Sequence, residues 1–410
     1  MMQRIPASAL APLALVLIAC CQSTAVAMTV PALPAIYARA AGGDNITLIF
    51  GLTFTIFAVV NMLALPALGT LSDRFGRRPF LLLSLAVLIA EFMILAFVPI
   101  LAVLVLWRIL SGLTNSTSAT IAAWLADITP AESRTRRFGF LNASYGIGLF
   151  IGPVIGGVLS EYWLAAPYVL AATVAGIGLI LTTLVPAAPQ SLPEKSSVKA
   201  RTVFNPFRHL LWLGSAGLAP LALVYFAVNF SFNSPDALWA IYTAERFQFS
   251  PSTIGLTLAL FGLFYTVTQI FLVGPFSAKF GATKAAMIGV GVDACSMTTL
   301  ALTSTAWIIF PLLAPLSFGS IAHPALQALM SRSVDSTQQG RLQGALSGVV
   351  ALATAVAPLA CNALYAATSK TVPGAAWLLP VALYAVTMPI WLVARQRGAD
   401  NRLASADFEA

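Results

Sequence analysis

This sequence is short of charge. Lys, Arg, Asp and Glu make up 9% of its 410 residues, where a soluble domain carries about 25%. Too few charges are present to cover a water-facing surface, so lipid is the solvent the chain fits. Histidine occurs twice, as His209 and His323, and cysteine four times. Cys20 and Cys21 are adjacent, while Cys295 and Cys361 lie singly in apolar runs. That pattern excludes a disulfide framework and a metal-ligand spacing. It is the pattern of buried thiols used as small apolar groups. A nucleophile–base constellation and a Gly-rich phosphate loop are also missing, which makes an enzyme the weakest reading. These 410 residues carry no nucleotide-binding signature, so transport driven by a fused nucleotide-binding domain is not expected.

Apolar residues fill the space. They make up 59% of the chain, and the mean hydropathy is +0.88. A helical membrane span needs about 20 mostly apolar residues. Twelve such runs are predicted, at 9–30, 47–70, 79–98, 101–125, 138–160, 164–186, 210–232, 251–273, 284–303, 306–329, 343–367 and 374–394. The fold class expected is an all-α membrane protein of two pseudo-symmetric six-helix bundles. Its divisions are an N-terminal bundle over 1–186, a linker over 187–209, a C-terminal bundle over 210–394 and a tail over 395–410. Leu17-Ile-Ala-Cys20 has the form of a lipoprotein processing site, but the apolar run continues to Val30 and favours a first span.

With both termini in the cytoplasm, the inside segments hold 18 of the 22 Lys and Arg residues. The outside loops hold Arg39, Arg246 and Lys370, and Arg108 falls within a span. This asymmetry follows the positive-inside rule. It accounts for the formal charge of +8 without a nucleic-acid partner.

The chain is duplicated. Gly69-Thr-Leu-Ser-Asp-Arg-Phe-Gly76 recurs in worn form as Gly274-Pro-Phe-Ser-Ala-Lys-Phe-Gly281, an offset of 205. The same offset carries Gly139 onto Gly344 and Pro153 onto Pro358. A duplicated apolar chain points to a carrier whose halves rock about a site and open it to each side in turn.

Two segments carry a family resemblance. Gly69, Asp73, Arg74, Gly76, Arg77 and Arg78 sit in the short inside loop between spans 2 and 3. Asp73 can face a helix N-terminus, and Arg77 or Arg78 can pair with Asp127 at the end of span 4. In span 5, Gly148, Gly152, Pro153, Gly156 and Gly157 put small residues on one helix face, which permits close packing. The loop resembles the signature of the major facilitator superfamily, where it latches one conformation. The span-5 pattern resembles that of drug/proton antiporters in that superfamily. Ala-Asp-Ile-Thr (126–129), Ala-Leu-Trp (237–239), Glu-Arg-Phe (245–247), Pro-Ala-Leu-Gln-Ala (324–328) and Gln-Gly-Arg-Leu-Gln-Gly (339–344) narrow the resemblance. They are similar to the tetracycline/proton antiporters of Gram-negative bacteria over nearly the whole chain. The resemblance implies a secondary transporter of the bacterial inner membrane that exchanges protons for a small amphipathic drug. In those proteins the cargo is a tetracycline–divalent metal complex. Protons are then the coupling ion, and no cofactor is expected. The partners expected are the small-molecule substrate and the bilayer, without nucleic acid; the oligomeric state stays open, a monomer being compatible.

A charge at bilayer centre costs at least roughly 2.5–3.5 kcal/mol, so intramembrane ionisable groups are functional candidates. Three stand out: Glu91 in span 3, Arg108 in span 4 and Asp293 in span 9. Subtracting 205 places Asp293 at position 88, one turn from Glu91. The resemblance implies that the acids serve proton coupling and that Arg108 matches the family's span-4 arginine. A static Glu91–Arg108 ion pair is the alternative for Glu91. Gln22, Asn61, Asn115, Asn142, Tyr265 and Gln269 are candidates for the substrate cavity or for ties between helices. Gln22 stands where the resembled exporters carry an acid, and Tyr265 where many carry a histidine. Gln22 cannot carry a proton or neutralise a cation, so a different drug, a sugar, a peptide or a metabolite is the alternative cargo. A non-transporting receptor or scaffold would have no need of the buried acids. His323 is expected to be a packing residue with its hydrogen bonds satisfied, and Asp236 and Glu245 to be solvated near the outer surface after span 7.

Overall fold

The computed structural model describes residues 7–42, 46–98, 100–185, 212–215, 217–335 and 338–406. The expected linker, 187–209, lies outside them. Among the described residues every regular element is helical. The longer helices are α1 (Ala7–Thr29), α2 (Leu33–Ala41), α3 (Ile46–Phe75), α4 (Arg77–Phe97), α5 (Leu101–Thr114), α6 (Thr117–Asp127), α7 (Ala131–Tyr162) and α8 (Ala166–Leu184). After the linker follow α9 (Ala219–Phe247), α10 (Pro251–Val267), α11 (Val273–Leu302), α12 (Ile309–Gly319), α13 (Ala322–Arg332), α14 (Gln339–Thr368) and α15 (Leu378–Ala406). Helices satisfy every backbone group within the segment, as lipid demands.

Nine segments among the described residues are long and apolar enough to cross a membrane. One of them, Pro251–Leu302, is 52 residues long and is turned at Gly281, so it holds two of the expected spans. Span 4 falls short of such length because it is broken into α5 and α6 at Asn115–Ser116. Span 7 was expected over 210–232, but α9 runs from Ala219 to Phe247. Its polar stretch Asn229–Asp236 ends the apolar run without ending the helix. Asp236 and Glu245 lie on this helix, and both are exposed.

The described chain separates into two compact units. One holds Met1–Arg201 with Trp239–Leu263, and the other holds Thr202–Leu238 with Phe264–Ala410. The first unit's core is built on Leu15, Ile18, Leu81, Leu85, Ile121 and Trp124. The second unit's core is built on smaller side chains, such as Ala285, Ala286, Ala322, Ala325 and Ala345, closed by Trp391.

In the first unit α7 lies directly against α1. A Cβ added at Gly148 would sit 2.0 Å from Ser23 Oγ, one at Gly152 2.7 Å from the Thr24 carbonyl oxygen, and one at Gly156 1.8 Å from that of Met28. The contacts climb both helices together, so α1 and α7 run parallel. Gly157 meets Pro251, and Gly255 meets the Pro153 carbonyl, so the start of α10 packs on the same helix. The span-5 glycines are thus spent on backbone contact.

The duplication is visible in the backbone. Gly76 has φ 92° and ψ 153°, and Gly281, 205 residues later, has φ 76° and ψ 156°. Only glycine takes this conformation without strain. The helix breaks also correspond: Asn115 plus 205 is Ser320, and Ser320 joins α12 to α13. Each break is braced by an amide from a neighbouring helix. Asn61 Nδ2 donates to the Asn115 and Gly112 carbonyls at 2.8 and 3.2 Å. Gln269 Nε2 donates to Ser320 Oγ at 2.9 Å from within a single π turn, Thr268–Leu272.

Candidate functional site

Glu91 and Arg108 meet inside the first unit. Arg108 Nη1 lies 3.0 Å from Glu91 Oε1, and Ser111 Oγ donates to Glu91 Oε2 at 2.5 Å. Arg108 and Ser111 are three apart on α5, so one helix face grips both carboxylate oxygens. Arg108 Nε donates to the Tyr37 hydroxyl at 3.3 Å, and the guanidinium carbon lies 5.0 Å from the Phe54 ring centroid. Glu91 is buried, with 7% of its surface exposed. The geometry is that of an ion pair with its remaining valences filled.

Asp293 in the second unit is set differently. Its Oδ2 accepts from Ser231 Oγ at 2.6 Å and from the Tyr384 hydroxyl at 2.7 Å. Among the described residues no Lys, Arg or His forms an ion pair with it. Gly319 leaves the room it occupies, since a Cβ there would lie 2.7 Å from Asp293 Cβ. A buried acid held by neutral donors, with no cation paired to it among the described residues, can take up a proton.

The loop between α3 and α4 forms a compact charge cluster. Arg77 Nη1 reaches Asp73 at 2.5 Å and Ser72 Oγ at 2.8 Å, while its Nε reaches Asp127 Oδ2 at 3.1 Å. Of the two arginines proposed for Asp127, Arg77 makes the pair. Arg78 donates instead to the Thr183 carbonyl. Arg74 lies over Phe75. Asp73 precedes the α4 terminus but makes no capping bond there, because Arg77 holds it.

The remaining polar candidates divide. Asn61 and Gln269 are engaged at the helix breaks. Asn115 contributes its carbonyl to the first break, and its side chain is exposed. Asn142 is exposed on α7. Tyr265 is half-buried, its ring centroid 5.6 Å from that of Phe232. Gln22 Oε1 is buried without a hydrogen-bond partner. Sequence reasoning missed Tyr37, Ser111, Ser231 and Tyr384. Ser111 carried a signal in its spacing from Arg108, whereas Ser231 and Tyr384 reach Asp293 from distant helices and carried none.

A family model described as the Major Facilitator Superfamily matches residues 15–235 and again 221–409. The chain belongs to the Major Facilitator Superfamily. It is accordingly a multi-pass membrane transporter and not an enzyme. Among curated facilitators, the class C tetracycline resistance protein of Escherichia coli is 38% identical over 381 residues, covering 93% of this chain and 95% of that protein. The class G protein of Vibrio anguillarum is 35% identical, with coverages of 88% and 92%. Solved structures show the fold. The nucleoside transporter NupG superposes with a TM-score of 0.78 at 11% identity, covering 93% of this chain and 98% of that one. The human organic anion transporter MFSD10 gives 0.63 at 20% identity, with coverages of 93% and 100%.

Proposed function

We propose that this facilitator is a proton-coupled antiporter of the bacterial inner membrane, with both termini cytoplasmic, that exports a small amphipathic drug by alternating access. Tetracycline is the cargo favoured by its similarity to the tetracycline resistance proteins. The observation that carries proton coupling is Asp293, a buried carboxyl with hydroxyl partners and no cation. Protons entering from outside load this acid and favour release of the drug. Glu91 and Arg108 form the second charged element of the cycle. The Arg77–Asp73–Asp127 cluster latches one conformation.

A second cargo reading keeps the cycle and replaces the chelate. Gln22 favours it, because an amide cannot neutralise a metal-bearing cargo.

Everted membrane vesicles with a preformed proton gradient test the reading. Tetracycline added with Mg²⁺ collapses the gradient in wild type and leaves it intact in Asp293→Asn vesicles. A wild type without response rejects tetracycline as cargo. A mutant that responds like wild type removes Asp293 from the coupling.

A further inference from the structure

His323 belongs to a membrane helix, and the cycle above leaves it unused. Its Nε2 lies 2.9 Å from the Tyr225 hydroxyl, and the two rings lie 5.0 Å apart at 38°. The imidazole is therefore not merely packed, because its ring nitrogen is aimed at a group that both donates and accepts. Histidine is also the side chain whose ordinary titration falls near neutral pH.

Its position ties it to Asp293. A Cβ on Gly289 would lie 2.8 Å from the Ala322 nitrogen, and one on Gly319 2.7 Å from Asp293 Cβ. The chain around α13 therefore descends along α11, with Ala322 level with Gly289 and Gly319 level with Asp293. His323 follows Ala322 and so stands roughly 6–8 Å from Asp293 along that axis, and their partners Tyr225 and Ser231 are about 9 Å apart along α9. Helix α9 serves both groups, giving Tyr225 to the histidine and Ser231 to the aspartate. The other charged groups on α13 and the helices that touch it are Asp236, Glu245 and Arg246 of α9, Lys279 and Lys284 of α11, Arg332 of α13 and Arg341 of α14, and Arg341 lies over Trp212. Lys279, Lys284 and Arg341 form no ion pair with Asp293 or His323 among the described residues.

We propose that His323, hydrogen-bonded to Tyr225, is a second proton-binding station that exchanges protons with Asp293. The two groups stand beyond direct hydrogen-bond reach, so the proton passes through intervening hydroxyl or water groups, each accepting one proton and giving one up. In sum the Asp293 carboxyl O–H bond breaks and an imidazole N–H bond forms. Neutral acid plus neutral imidazole becomes carboxylate plus imidazolium. The net charge of the pair is zero before and after, so no further ion has to enter this part of the membrane. Ser231 and Tyr384 touch one end of the hop and Tyr225 the other, so hydroxyls that can pass a proton on already stand at both ends. The inference rests on the proton-coupled reading.

Two transport modes in the same everted vesicles test it. Gradient-driven tetracycline uptake requires proton turnover, whereas tetracycline counterflow without a gradient does not. His323→Gln should lower driven uptake about tenfold or more while counterflow stays near wild type. Tyr225→Phe, which keeps the ring and loses the hydroxyl, should show a smaller loss of the same kind. Driven uptake at the wild-type level in His323→Gln overturns the proposal. If His323→Gln loses counterflow as well, its fold is in question and Tyr225→Phe decides, with unchanged driven uptake counting against the relay. A wild type that counterflows tetracycline but shows no proton-driven uptake removes the coupling reading, and this inference with it. Asp293→Asn run in parallel separates the cases: driven uptake lost there but intact in His323→Gln overturns the relay alone.

Discussion

Asn115 and Ser320 occupy the same place in the two halves of the chain, and each marks a break in a membrane helix. Thr114, Asn115, Ser116 and Thr117 are residues whose side chains compete for the backbone, which favours interruption. The freed groups are then claimed. Ser84 Oγ donates to the Thr114 carbonyl and accepts from the Ser116 N–H, and Asn61 takes the Asn115 carbonyl.

Removing the brace should be costly. Asn61→Ala removes the donor to the exposed Asn115 carbonyl and the part-buried Gly112 carbonyl, a loss of about 0.5–1.5 kcal/mol. A lower thermal midpoint of the detergent-solubilised protein is expected, with a smaller drop for Gln269→Ala, whose acceptor is a hydroxyl that can turn elsewhere. Equal stability of Asn61→Ala and wild type would show that the break needs no brace.

Glu91 and Arg108 should behave as a unit. Arg108→Ala strands a buried carboxylate, a loss of about 3–5 kcal/mol, whereas replacing both partners by apolar residues can be near neutral. Membrane-inserted yield should fall in the single mutant and recover in Glu91→Leu/Arg108→Leu. A double mutant that folds and still transports would reduce the pair to a structural tie.

The glycines of α7 are not interchangeable. Gly156→Ala forces a methyl to within 1.8 Å of the Met28 carbonyl oxygen, while a Cβ at Gly139 meets nothing within 4 Å. The first change should abolish folded protein or separate α7 from α1. The second should be neutral or stabilise by up to about 1 kcal/mol. Monodispersity on size exclusion distinguishes the two.

Arg77 and Arg78 should also separate. Arg77→Ala dissolves both carboxylate contacts of the loop and is expected to change the turnover rate of drug export more than the apparent affinity. Arg78→Ala loses one bond to a carbonyl and should be mild. The comparison is made on drug uptake rates in vesicles across a range of drug concentrations.

The spans were legible where apolar residues ran unbroken, because hydropathy reports what lipid tolerates. They were harder to bound where the helix turned polar. The stretch from Asn229 to Asp236 looked like an exit from the membrane, yet α9 continues through it because those side chains bond within the protein, as Asn233 does to Thr354 at 3.1 Å. Glu91 and Arg108 could be paired from sequence because two opposite charges in apolar runs have few other partners. The setting of Asp293 could not be read, since hydroxyls such as Ser231 and Tyr384 are too common to signal a contact. His323 reads as a satisfied packing residue, and the Tyr225 hydroxyl is the partner that satisfies it; nothing in sequence names that partner, 98 residues away.

The paired turns at Gly76 and Gly281 record an unequal inheritance. The first copy surrounds its glycine with Asp73, Arg77 and Arg78; the second has Ala278, Ala282 and Thr283 at those places. The charges were expendable in one copy, but the backbone geometry was retained in both. Mutational tolerance should therefore be lopsided around the second turn, with its side chains free to drift and its glycine confined. An engineer seeking a site for a label or an altered surface would find that latitude at Ala278, Ala282 and Thr283, provided Gly281 is left alone.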